Sequence, residues 1–273
     1  MIPTPPSEPD TRAARALLAF WRAAGVDMDA AEAIFAAPQA TRTAGVAPAK
    51  TRPPARTPAV QNPMDGARAL AAGAGTIPAL RAAVEDFTGC ALKATARTTV
   101  FSDGVETARV LILGEAPGKD EDEQGKPFVG RSGRLLDRML ATIGLDRKYN
   151  ILISNTIFWR PPGNRDPTQG EIAACMPFVE RLIALSKPDL LILVGKVAAQ
   201  TVLQREDGVM RLRGRRFSYQ REDLAAPVNA MVMLHPAYLL RRPQEKRLAW
   251  ADLLLLEAWL DQLGVARNPP LSA

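Results

Sequence analysis

The chain has 273 residues, 47% of them apolar, enough for one sizeable core and an appendage. Its 35 Lys and Arg against 29 Asp and Glu leave a net charge of +6, a modest lean toward polyanionic partners such as nucleic acid. No apolar run nears the roughly 20 residues of a membrane span, the start MIPTPPSEPD lacks the basic-then-apolar order of a secretory signal, and Cys90 and Cys175 make neither a disulfide framework nor a CxxC pair. The expectation is a cytoplasmic monomer with reduced thiols and no membrane association.

In chain order, TRAARALLAFWRAAGVDMDAAEAIFA (11–36) has helix-forming composition, with Leu17, Leu18, Phe20, Trp21 and Ala24 able to share a broad face. An Ala-, Pro- and Thr-rich stretch without periodicity follows and reads as a tether. From Gly66 a helical segment runs through Asp86. Then strand-like runs (ARVLILG, YNILISNTIF, DLLILVG, NAMVML) alternate with helix-like ones (RSGRLLDRMLATIGL, TQGEIAACMPFVERLIALS, KVAAQTVLQ). The domains expected are an N-terminal helical extension (1–38), a flexible linker (39–65), a catalytic domain (66–266) and a tail (267–273). The alternation predicts an α/β fold, a three-layer α/β/α sandwich around a central, mainly parallel four-stranded sheet.

Ligands of such folds sit beyond the carboxyl ends of the strands, so the residues there carry the functional reading. GEAPGK (114–119) resembles a phosphate-cradling loop, but the P-loop pattern G-x-x-x-x-G-K-S/T is not met: the second Gly comes early and Asp120 follows the Lys. Four carboxylates, Asp120 to Glu123, stand where a phosphate would be unwelcome. His235, the one histidine, ends an apolar run and precedes Pro236; a lone histidine is more often structural than catalytic, and its strand-end position brings the two readings level. Asn155 also ends a strand, where its amide offers a donor and an acceptor for a base edge or serves a simple turn. Phe128 is either core or a platform for a nucleobase.

Taken in order, GEAPGKDEDEQGKPFVGRSGRLLDRML, NTIFWRPPGNRDPT, EIAACMPFVERLI and HPAYLLRRP resemble the family 4 uracil-DNA glycosylases over roughly residues 80 to 265. The resemblance implies removal of uracil from DNA by base flipping and hydrolysis of the N-glycosidic bond, initiating base excision repair. It implies Phe128 as the stacking platform, Asn155 as the amide that pairs with uracil, His235 as a neutral donor to a uracil oxygen, and the loop from Gly114 and Glu115 as the pocket wall. Glu121 falls where the family carries an acidic residue that handles water, and Asn164 is a second candidate for it. Relatives with an aspartate-type motif place a carboxylate where this chain has Ala116. Leu239 matches the wedge that enters the duplex, Arg241 a phosphate contact, and Arg213 and Arg215 of RLRGRRF could follow the backbone or form a solvated basic hairpin. No lysine matches a Schiff-base motif, so the enzyme is expected to be monofunctional.

The family also carries four cysteines around a 4Fe-4S cluster, and here the chain departs from it. Phe87 and Trp159 stand at two of those places, leaving Cys90 and Cys175. Two thiolates are half the usual ligand set, so the expectation is no cofactor and no metal, with Phe87 and Trp159 filling the vacated volume. Two other functions stay open at this level: a non-catalytic lesion-binding module, and a nucleotide-processing enzyme using residues 120–123 for magnesium.

Overall fold

Four short apolar runs, VLILG, ILISN, LLILV and VNAMVM, build the centre of the molecule because none alternates: each is buried on both faces, as parallel strands under two helical layers must be. The computed structural model describes residues 63–267. The helix expected over 11–36, the tether after it and most of the short tail lie outside the described residues. In chain order the elements are α1 (Pro63–Gly73), α2 (Ile77–Asp86), β1 (Ser102–Gly104), β2 (Val110–Gly114), α3 (Lys119–Gln124), α4 (Arg131–Ala141), β3 (Ile151–Asn155), α5 (Gln169–Ser186), β4 (Leu190–Val194), α6 (Lys196–Leu203), α7 (Val209–Leu212), β5 (Arg216–Tyr219), β6 (Val228–Met233), α8 (Pro236–Arg241) and α9 (Lys246–Gln262).

The sheet order is β1-β3-β2-β4-β6-β5. The inner four strands are parallel, and β1 and β5 pair antiparallel at the two edges. The α/β/α sandwich and its four parallel strands therefore stand as expected, while the sheet runs to six strands. The additional two are short, and SDG and RFSY lack the apolar run that announces a buried strand.

Alternate residues of each strand feed different layers. Leu111, Leu113, Leu152, Leu191 and Leu193 face α1, α2 and α5, whereas Val110, Ile112, Ile153, Ile192 and Val194 face α4 and α9. A third cluster of Leu135, Leu234, Leu239 and Ala249 fastens α8 to α4 and α9. The acidic run 119–124 is a short helix rather than a loop.

Candidate active site

Parallel pairing places the carboxyl ends of the inner strands together. Gly114 is the ladder partner of Asn155, and Val194 is the partner of Met233. The residues that follow, Glu115, Thr156, Gly195 and His235, therefore gather at one edge of the sheet although the motifs are far apart in the chain. A cavity of about 580 Å³ opens there, with Glu115, Phe128, Asn155, Lys196, His235 and Tyr238 in its wall.

Gly114 is required for close approach: a Cβ there would overlap both the Phe128 ring and the Asn155 amide oxygen. The ring of Phe128 and the amide of Asn155 thus meet over a bare stretch of backbone. Phe128 is almost fully buried and takes a left-handed φ of 54°, a conformation that costs a bulky residue on the order of 1–3 kcal/mol. Asn155 is 2% exposed, and its Oδ1 is buried without a hydrogen-bond partner among the described residues. Such an atom costs about 1–3 kcal/mol unless a ligand supplies the missing donor.

His235 caps α8, its Nδ1 accepting from the Ala237 N–H at 3.1 Å. Burial, aided by the positive charge of Arg241, pushes its pKa down to about 4. The ring is therefore neutral near pH 7, and an acceptor at Nδ1 fixes the proton on Nε2. Gly195, with φ 97°, admits this arrangement, since a Cβ there would sit 3.1 Å from the His235 Cβ. The Phe128 and His235 rings lie 5.7 Å apart between centroids, tilted by 32°.

Glu121 lines the cavity but is already engaged: Oε1 accepts from the Val129 and Gly130 N–H groups at 3.0 and 2.9 Å, and Oε2 from Gly118 N–H at 3.1 Å. It braces the loops on either side of α3, and Oε2 keeps accepting capacity for one more donor. Asp122 likewise receives the Arg97 and Thr98 N–H groups. Among the described residues no group of three or more His, Cys, Asp or Glu is placed to hold a metal ion; within the acidic run Glu121 and Asp122 are engaged with backbone and Glu123 pairs with Lys119. Asn164 lies on the exposed rim with φ 55°, accepting from Arg160 Nε at 2.8 Å.

Two expected DNA contacts need correction. Leu239 is fully buried against Leu135, Leu234 and Ala249, because α8 turns it inward; the residues of this turn that line the cavity are Ala237, Tyr238 and Arg241. Arg213 is paired with the wholly buried Asp252, donating from Nε at 2.9 Å and from a terminal nitrogen at 2.6 Å, so its charge is spent inside the fold. Arg215 is exposed. The sequence reading also passed over the Glu115 side chain, whose pKa burial and then Asp166 push up. An acid within a strand-end loop was the available signal.

Phe87, Phe158, Trp159 and Phe178 form one aromatic cluster, with Phe87 5.1 Å from Phe178 and 6.4 Å from Trp159 between centroids. Trp159 Nε1 donates to Thr99 Oγ1 at 3.0 Å. Both thiols are buried, and burial together with the neighbouring Cys90 raises the pKa of Cys175. Two free thiols, half the ligand set of a four-thiolate cluster and flanked by packed rings, do not fit one.

An α/β/α sandwich whose strand ends surround one cavity with an aromatic ring, an unpartnered buried amide and a neutral histidine defines a nucleobase-handling enzyme. The family model for the uracil DNA glycosylase superfamily matches residues 101–254. Within that superfamily the chain belongs to the type-4 uracil-DNA glycosylases. Similar relatives described as type-4 uracil-DNA glycosylase come from Archaeoglobus fulgidus (38% identity, 57% of this chain and 78% of the relative), Pyrobaculum aerophilum (34%, 56% and 79%) and Thermotoga maritima (32%, 66% and 93%).

Proposed function

We propose that the protein is a monofunctional glycosylase that hydrolyses the N-glycosidic bond of uracil, and of other deaminated bases its cavity admits, in DNA. The product is an abasic site, which initiates base excision repair. The observation that carries this reading is the buried, unpartnered Oδ1 of Asn155 beside Phe128. Uracil presents an N3–H that satisfies this oxygen. Cytosine has a lone pair at N3 and leaves the oxygen unpaired, which a buried polar site penalises.

A flipped uracil stacks on Phe128 and meets Asn155 at its edge. As the glycosidic bond breaks, negative charge grows on the base, and the Nε2–H of His235 donates to a uracil oxygen more strongly in the transition state than in the ground state. Glu121, through the remaining capacity of Oε2, and Asn164 at the rim orient the attacking water. Gly114 and Glu115 wall the pocket. Tyr238 takes the wedge role that Leu239 cannot reach, and Arg241 and Arg215 contact phosphates.

The experiment is excision from a single-uracil oligonucleotide with enzyme in excess, in EDTA, followed by alkali. Strand breaks at uracil and not at cytosine are expected. Binding without breaks would make the protein a lesion-binding module, and loss of cleavage in EDTA would restore a metal-dependent reading.

The proposed enzyme works without an iron–sulfur cluster, a reading supported by two cysteines being half the usual ligand set and by the rings of Phe87 and Trp159 packed beside them. Protein purified anaerobically is expected to hold no stoichiometric iron and to show no broad visible absorbance. Both signals together would overturn this part.

A further inference from the structure

Phe128 bears the proposed stacking role in a backbone conformation that bulky residues avoid, so something outside the cavity must hold it there. The turn is boxed. On one side Gly133 leaves room for the Phe128 carbonyl, which a Cβ at that position would overlap. On the other stands Arg147, in the connection from α4 to β3 and absent from the cavity wall.

All five N–H donors of that guanidinium are used. Nη1 donates to the Pro127 carbonyl at 3.1 Å and to Asp103 at 2.9 Å; Nη2 donates to the Phe128 carbonyl at 2.9 Å and to Asp137 at 2.7 Å; Nε donates to Asp137 at 3.1 Å. Asp103 lies on β1 and Asp137 on α4, so the fork ties two successive carbonyls of the left-handed turn to two separate scaffold elements. Lys126 reinforces Asp103 from 3.5 Å. A lysine ammonium, a point charge with three donors, cannot reproduce a planar fork of this span.

We infer that Arg147 is a positioning residue for base stacking: through the Pro127 and Phe128 carbonyls it sets the angle at which the Phe128 ring meets the flipped base. The inference rests on the proposed stacking role of Phe128. A misplacement of about 1 Å costs up to roughly 100-fold in rate when reacting groups must be aligned.

The test is a double-mutant cycle of Arg147→Lys and Phe128→Ala, read by single-turnover excision of uracil, with amide hydrogen exchange on the free protein. Arg147→Lys alone is expected to slow excision by roughly 10- to 100-fold, and to cost little more in the Phe128→Ala background. Faster exchange is expected in residues 126–133, with α5 and β4 unchanged. Additive losses, unaltered exchange in that loop, or faster exchange throughout the domain would each overturn the inference, the last by showing a general structural role. Asp103→Asn, which loosens the anchor and keeps the fork, gives the same non-additivity in weaker form and serves if Arg147→Lys does not fold. Should the wild-type chain leave uracil uncleaved, the proposed function falls, while the exchange arm still decides whether Arg147 holds the turn.

Discussion

His235 closes β6 and opens α8 at once, and this double duty decides its chemistry. The cap takes up Nδ1, burial keeps the ring neutral, and Nε2–H is the donor that remains. With a folded pKa of about 4, the imidazole supplies the same donor at pH 5 as at pH 8. Single-turnover excision is therefore expected to show no inflection near the ordinary histidine value of about 6.5. His235→Ala is expected to slow excision roughly 100- to 1,000-fold at every pH in that range, the cost of one oxyanion-type donor. A wild-type rate that changed tenfold per pH unit around 6.5, with the variant flat, would instead assign the work to an imidazolium. Asn155→Ala belongs beside it: removing the acceptor lowers the rate on uracil and narrows the gap between uracil and cytosine.

At the scale of elements, α8 explains why the motif marks a turn beside the cavity without marking which of its residues faces it. The HPAYLLRR segment fixes where the turn lies, but a six-residue helix opened by Pro236 rotates Leu239 into the contact with α4 and α9 and turns Tyr238 toward the cavity. Leu239→Ala is accordingly expected to lose about 2–5 kcal/mol of stability, as a buried leucine does, with little change in excision by the protein that remains folded. Tyr238→Ala should leave the melting temperature nearly unchanged and slow excision from duplex more than from single strands, where no wedge is needed. The reverse pattern would return the wedge to Leu239. Phe128, Asn155 and His235 were legible because each ends a strand or follows a glycine-rich loop, positions that the α/β pattern itself marks. Arg147, the Arg213–Asp252 pair and the bracing by Glu121 were not, since each joins segments whose spatial contact is not written in local pattern. The edge strands β1 and β5 escaped for a similar reason: pairing on one side needs no apolar run.

Across the whole molecule, two desolvated groups, His235 at the start of α8 and Asp252 in α9, pull the pH dependence of stability in opposite directions. His235 has its folded pKa lowered to about 4, so between about 4 and 6.5 the unfolded chain binds the extra proton and stability falls as pH falls. Asp252, buried in α9, has its folded pKa raised by burial to about 6 despite the Arg213 guanidinium, so between about 4 and 6 the folded chain binds the extra proton and stability falls as pH rises. Each contributes a slope of up to about 1.4 kcal/mol per pH unit, of opposite sign. The two oppose each other over this window, so single substitutions are needed to separate them. Relative to wild type, His235→Gln is expected to turn the slope of stability against pH more negative between pH 4.5 and 6, and Asp252→Asn more positive. The Asp252→Asn protein should also be less stable overall, because it leaves the buried charge of Arg213 without its counter-ion. Urea unfolding at several pH values measures these slopes, and variant slopes equal to that of wild type would show that neither group titrates as its burial dictates. The opposition has a functional side: the desolvated histidine that the proposed chemistry needs carries an acid-side stability cost, and the buried carboxylate of Asp252 on the adjoining helix acts in the opposite sense.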